Sequence, residues 1–410
     1  MLRANTQRVL NDLYHLRSIG TYKTGVHRPT LSADDMVARK WLADQLHAIG
    51  HKTVIDGIAN VYGRAPSDGP IVLAGSHIES QNHAGWLDGA LGVVYALEAA
   101  RVAKETRISG SVDVIAFADE EGHFSGASFL GSESFVGDVS EEVMDGSVCR
   151  SGRGRLRDLL ADAGLAGRER VKIDTNRYKA FFEAHIEQGQ TLETEDLKIG
   201  VVTSIVAIWQ YRITFTGIQN HAGTTKMAIR RDAGKALMGV WHRIEEEFPA
   251  ISGPHSVWTV GQVSVSPGQP SIIPGGAEMI VQFRDAEPAT LDRLKAKLLE
   301  LVKEVDDSPC TATIEVMGES TPAHMSRTLQ STLIDAATTH APDKWLVMPS
   351  GAGHDAQVIA PLIPSAMMFV PSIGGISHHW TENTSDEDIA VGAQVFVDAI
   401  GRVLSSTQFD

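Results

Sequence analysis

Side chains able to hold a metal ion or move a proton recur in this chain at the ends of apolar runs. The run Ile71 to Ala74 leads into Gly75-Ser76-His77, and the segment that follows closes on Asp88-Gly89, where an apolar helical pattern begins and continues to Val102. A His at the end of a strand and an Asp at the start of a helix are both delivered to the crevice where open α/β sheets hold their ligands. Neutral imidazole and carboxylate are donors that suit zinc and its first-row neighbours. With 16 His in the chain, one such pair also fits two solvated loops. A second apolar run, Val112 to Ala118, ends in Asp119-Glu120-Glu121-Gly122. Two strands that deliver His, Asp and an acidic cluster to their C-terminal ends favour a site over two loops.

Adjacent carboxylates repel, and at neutral pH they coexist cheaply only if a cation takes one or a proton neutralises one. In a hydrolytic metal site both happen: one Glu ligates and the other accepts the proton of the attacking water. The alternative for Glu120 and Glu121 is an exposed acidic turn. His185 and His378 each follow an apolar strand and lie beside glycines. Either one alone reads as a hydrogen-bonded core histidine. Joined with His77, Asp88 and Glu121, they make more donors than one tetrahedral zinc takes and match two ions that share the Asp. Paired ions of this kind stabilise attacking and leaving groups in hydrolysis.

The elements that must position these residues follow an α/β rhythm. Residues 3 to 17 have helical spacing, and Leu31-Ser32-Ala33-Asp34-Asp35 reads as a cap leading into a helical pattern from Met36 to Ile49. Strands are expected at Lys52-Ile55, Val61-Gly63, Ile71-Ala74 and Val112-Ala118, in a sheet covered on both faces. Residues 137 to 170 read as a surface excursion with one helical pattern near 156 to 163, and Tyr178-Ala184 then runs into His185. From about Ile208 the order becomes strand, helix, strand, strand, helix, strand, the split βαβ pattern. The expected organisation is a discontinuous metal-binding domain, 1–207 with 323–410, and an inserted α+β, ferredoxin-like domain over 208–322. After Pro322 come a helix over 328–340, a loop over 349–355, a strand over 366–369 and a helix over 386–404.

At 410 residues and 43% hydrophobic, the chain can fill two cores. Charged residues at 21% exclude disorder. A net charge of −15 argues against nucleic acid or an anionic membrane as partner and favours a small-molecule substrate. Met1-Leu2-Arg3-Ala4-Asn5 does not begin a secretory signal, and no apolar run reaches membrane-spanning length, so a cytoplasmic protein is expected. Cys149 and Cys310 have no CxxC spacing and are too few for a disulfide framework. Any metal is then held by His, Asp and Glu.

Several motifs occur in one order: Gly25-Val26-His27-Arg28, Asp119-Glu120-Glu121-Gly122, His185-Ile186-Glu187-Gln188-Gly189, Asn220-His221-Ala222-Gly223-Thr224-Thr225, Ser350-Gly351-Ala352-Gly353-His354-Asp355 and Gly375-Ile376-Ser377-His378. Through them nearly the whole chain resembles the dinuclear-metal amidohydrolases that include N-carbamoyl-L-amino-acid hydrolase, allantoate amidohydrolase and β-ureidopropionase, relatives of aminoacylase and carboxypeptidase G2. The resemblance implies a mixed-sheet, aminopeptidase-like catalytic domain with an inserted lid and dimerisation domain, hence a homodimer. It implies that His77, Asp88 and His185 hold one divalent ion and that Asp88, Glu121 and His378 hold the other, zinc or manganese with cobalt and nickel as alternatives. Glu120 would be the general base and then the acid toward the leaving nitrogen. His221 would be an oxyanion donor, supplied by the partner subunit. Arg284 would bind a substrate carboxylate through its two-pronged guanidinium, and Gln188 would add a polar substrate contact.

The implied reaction is hydrolysis of a linear C–N bond, ureido or amide, in a small carboxylate-bearing substrate, with an N-carbamoyl-L-amino acid first. Allantoate or an N-acyl amino acid is the alternative within enzymes. A binding protein that keeps the fold without turnover is a third reading, opposed by the intact Glu120 and full ligand set. Departures from the family pattern fall at Glu79, where relatives carry Asp, at Ser271 in place of an Asn that contacts substrate, at Trp86, and at His123-Phe124; they imply an altered substrate pocket.

Overall fold

The computed structural model describes residues 1–126 and 129–406. These divide into two compact units, 1–204 with 324–410, and 205–323. Among the described residues, no helix is long and apolar enough to cross a membrane.

The larger unit is built on a nine-stranded mixed sheet. At its centre four neighbouring strands run parallel: Ser111–Phe117, Ile71–His77, Tyr178–Ile186 and Ser365–Val370. Antiparallel strands flank them, Val61–Arg64 and Lys52–Ile55 on one side and Ile199–Ile205 on the other. Every residue of Ile71–His77 and Ser365–Val370 is buried, as parallel strands covered on both faces require. The helix Ala90–Thr106 is buried over Ala90 to Ala103 and packs on three of the central strands, with Asp386–Ser405 and Thr6–Ser18 beside it. Because the four central strands are parallel, their C-terminal ends lie along one edge, and those ends with the loops leaving them carry His77, Asp88, Glu120, Glu121, His185, Gln188 and His378.

Residues 137 to 170 differ from the expected surface excursion. Short helices at Leu130–Val136, Glu141–Gly146 and Leu156–Asp162 contribute Leu130, Met144, Leu156 and Leu160 to a separate buried cluster with Phe124 and Cys149. Helices of six or seven residues span barely two turns, too few to show an apolar period.

The smaller unit is a four-stranded antiparallel sheet in the order Val257–Ser266, Gly276–Asp285, Ala207–Thr216, Thr311–Glu319. Along Gly276–Asp285 burial alternates strictly, with Ala277, Met279, Val281 and Phe283 inward. That period of two is the mark of a sheet covered on one face. The cover is Ala233–Glu247 and Pro288–Glu304, which bury Leu237, Val240, Ile244, Leu291, Leu294 and Leu298 against it.

Candidate active site

His77 is the last residue of its strand, and Gly89 caps the helix that follows Asp88. Gly89 adopts φ +67°, and a Cβ there would lie 2.4 Å from the ring atoms of His77, so no other residue fits. Its N–H donates to His185 Nε2 at 3.1 Å. Three non-glycine residues of the adjoining loops, Asp119, Gln188 and His378, hold positive φ angles of 61°, 57° and 55°. Such conformations cost energy and concentrate where side chains must be aimed.

Asp88 stands at the centre. Its Oδ1 lies 3.4 Å from His77 Nε2 and 3.0 Å from His185 Nε2, and its Oδ2 lies 3.4 Å from His378 Nε2. Glu121 Oε2 is 3.4 Å from that same His378 nitrogen. Two donor sets result, His77 with Asp88 and His185, and Asp88 with Glu121 and His378, each with its ligand atoms within 4.8 Å of one another. Glu120 lies next to the first set, its Oε2 3.6 Å from His77 Nε2. His77 and Asp88 are buried, whereas the His378 side chain is 54% exposed.

The outer nitrogens of both rings are held by backbone carbonyls. His77 Nδ1 lies 3.3 Å from the carbonyl of Glu79, and His185 Nδ1 lies 3.0 Å from that of Ile186. Each Nδ1–H donates there, which holds each Nε2 facing a carboxylate oxygen of Asp88. His77 Nε2 is buried with no hydrogen-bond partner. Both observations fit donors arranged for cations.

Electrostatics agree. Burial works against a charged His77, yet the carboxylates of Glu120, Asp88 and Glu79 prevail and raise its pKa well above that of a free imidazole. Burial likewise opposes ionisation of Asp88, but His185 and His77 hold its carboxyl well below the usual range. Glu120 and Glu121 move the other way. Burial pushes both well up, reinforced at Glu120 by Glu121 and Asp355 and at Glu121 by Asp88. This pocket carries more negative charge than it can hold without positive charge between its members.

A ring of polar groups holds the centre. Gln188 Nε2 donates to Asp88 Oδ2 at 3.1 Å and to Ser377 Oγ at 3.0 Å, and Gln81 N donates to Glu121 Oε1 at 3.1 Å. Sequence reasoning missed Glu382, which is buried, accepts from Asp88 N at 3.2 Å and from Ser377 Oγ at 3.1 Å, and has its carboxyl pushed up to about 8 by burial and then by Asp88. Nothing in Thr381-Glu382-Asn383 marks it, because its role comes from a contact across the chain.

Three of the departing residues, Trp86, His123 and Phe124, are buried. Trp86 is 2% exposed, stacks on Tyr14 at 5.2 Å, lies under the Arg17 guanidinium at 4.7 Å, and bonds Asn383 through Nε1. His123 is buried with Nε2 at 2.9 Å from the carbonyl of Ser80, and Phe124 joins the buried cluster of short helices.

The remaining candidates belong to the smaller unit. His221 pairs with Ile272 across a short antiparallel ladder, Asn220–His221 against Ile272–Ile273, and the Ser271 carbonyl accepts from Ala222 N at 2.9 Å. Those bonds bring His221 and Ser271 together. His221 is exposed, with Nδ1 accepting from Gly223 N and Thr224 N at 3.0 and 3.2 Å. Arg284 lies near the end of Gly276–Asp285, half-buried, with Nε on Gln282 Oε1 at 2.9 Å.

A model of peptidase family M20/M25/M40 matches residues 73–402. The chain belongs to that family. Within it, N-carbamoyl-L-amino acid amidohydrolase of Geobacillus stearothermophilus is 32% identical over 95% of this chain and 96% of the relative. Allantoate amidohydrolase of Escherichia coli (strain K12) is also 32% identical, over 90% of this chain and 91% of the relative. Among solved structures, an amidase of the hydantoinase/carbamoylase family from Burkholderia phymatum superimposes with a TM-score of 0.90 at 44% identity, covering 98% of each chain. This M20 chain is an amidohydrolase with a mixed-sheet α/β fold.

Proposed function

We propose that this M20 amidohydrolase cleaves the linear C–N bond of an N-carbamoyl-L-amino acid. The observation that carries the reading is Asp88, whose two oxygens face separate donor sets beside Glu120. His77, Asp88 and His185 would hold one divalent ion and Asp88, Glu121 and His378 the other, zinc or manganese with cobalt and nickel as alternatives. When bound, the two ions supply Lewis-acid polarisation of the scissile carbonyl and neutralise the carboxylates. Glu120 takes a proton from the attacking water and returns it to the leaving nitrogen, as a carboxylate with a raised pKa can. His221, from the partner subunit of a homodimer, donates to the developing oxyanion. Arg284 pairs with the substrate carboxylate, while Gln188 and Ser271 complete the polar contacts.

Residues 208–322 would then be the lid and dimerisation domain, and 1–207 with 323–410 the catalytic domain. A cytoplasmic setting belongs to the same proposal, supported by the unpaired thiols of Cys149 and Cys310. Equal identity to a carbamoylase and to an allantoate amidohydrolase supports allantoate as second substrate. The test is a turnover screen of N-carbamoyl, N-formyl and N-acetyl amino acids and allantoate, following ammonia and amine release separately. Turnover of N-carbamoyl amino acids with release of both ammonia and amine supports the reading; turnover confined to acyl amino acids or allantoate replaces it.

A further inference from the structure

Behind the donor sets lies a chain of buried charge. Glu79 is 0% exposed, and its two oxygens have different partners. Oε1 accepts the backbone N–H of Glu120 at 2.7 Å, and Oε2 accepts from Arg39 Nη2 at 2.6 Å. Arg39 is equally buried. Its Nε donates to Asp35 Oδ2 at 3.0 Å, and its Nη1 donates to the carbonyls of Ala59 and Phe117 at 2.9 and 3.2 Å. A second buried guanidinium, Arg28, bonds the carbonyls of Ile78 and Leu16 and balances the charge of Asp35 and Glu79.

The partners of Arg39 bracket one turn. Phe117 is the last residue of its strand, and Glu120 follows three residues later, after Asp119 at φ 61°. A left-handed Asp relaxes unless its surroundings hold it. The Asp119 side chain is pinned by Thr30 Oγ1 at 2.9 Å and by the N–H groups of His123 and Phe124. Arg39 grips the entry of the turn at Phe117 and, through Glu79, its exit at Glu120.

We propose that Arg39 and Glu79 are positioning residues that clamp the Phe117–Glu120 turn and thereby aim the Glu120 carboxylate. A buried ion pair is a poor device for stability, since apolar residues of equal volume do as well. What it supplies here is a rigid planar fork tied to the backbone on either side of the turn. The length of Glu79 matters: an Asp is one methylene shorter and reaches Arg39 or the Glu120 N–H, not both. This inference rests on the reading of Glu120 as base.

The test uses the full-length, metal-loaded enzyme with three variants: Glu79→Asp, the double variant Arg39→Met with Glu79→Gln, and Glu120→Gln as reference. The double variant removes one buried positive and one buried negative charge together and leaves Asp35 balanced by Arg28, so it costs the fold less than Arg39→Met alone. Bound metal, Tm, kcat, KM and hydrogen exchange at the Glu120 amide are measured on each. Both positioning variants are expected to keep bound metal and to hold KM within about twofold, while kcat falls roughly tenfold or more and the Glu120 amide loses protection. A kcat within about twofold of wild type in both, alongside an inactive Glu120→Gln, overturns the inference. Retained turnover in Glu120→Gln overturns the base assignment instead, and exchange at the Glu120 amide then decides whether the clamp exists.

Discussion

His185 Nε2 stands 3.0 Å from Asp88 Oδ1 while its own Nδ1 is committed to the carbonyl of Ile186. The ring is thereby held with Nε2 toward that carboxylate oxygen, and His378 meets the other oxygen of the same group. Asp88→Asn should disturb both donor sets at once. Metal analysis after gel filtration is expected to fall from about two ions per chain to about one or none. Two ions retained would show that Asp88 is not shared.

Chelation should convert the site into a pH-sensitive weakness. Without cations, burial raises Glu120 and Glu121 above their ordinary value of 4.5, and His77 is raised above 6.5 by neighbouring carboxylates that outweigh its burial. A group with a raised folded-state pKa binds more protons folded than unfolded between the two values, so stability falls as pH rises through that window. The sign is the same for all three groups. The Tm of the chelated protein should fall from about pH 5 to about pH 8, and that of the metal-loaded protein should fall less. Parallel curves would remove these groups from the metal sites.

Glu120 and Glu121 should separate by substitution. Glu120→Gln is expected to leave metal content near wild type and reduce turnover by about two or more orders of magnitude. Glu121→Gln should lower metal occupancy first. Nearly full activity in Glu120→Gln would refute the assigned roles.

His221 should act across a subunit boundary. Inactive His221→Ala mixed with inactive Glu120→Gln is expected to regain activity, because the heterodimer carries one site with both wild-type residues. No recovery after verified subunit exchange would exclude a shared site.

Arg284 should read the substrate's charge. A charge-assisted pair to a guanidinium contributes about 1.5 to 3 kcal/mol, so Arg284→Ala should lower kcat/KM by roughly ten- to a hundredfold. Arg284→Lys should recover only part, lacking the fork. Wild type should prefer a carboxylate substrate over its carboxamide and Arg284→Ala should not; an unchanged preference places Arg284 outside the site.

Much of this protein is written in local pattern. The apolar runs before His77, Glu120 and His185 mark strands because a strand buried on both faces must be apolar throughout. The strict alternation from Ala277 to Phe283 marks a half-buried one. Both are properties of neighbouring residues, so the sequence alone determined these strands and the polar residues that end them. The order of strands in the sheet is another matter. That Ser365–Val370 lies beside Tyr178–Ile186 brings His378 to Asp88, and that Glu382 and Gln188 surround the same carboxylate, depends on contacts across hundreds of residues. The packing of Trp86 against Tyr14 and Arg17 likewise joins residues some seventy positions apart. Arg39 carried no signal, since an Arg on a helix is ordinarily solvated. Only tertiary structure put that guanidinium behind Glu79, because burying a charge depends on a partner that no local period announces.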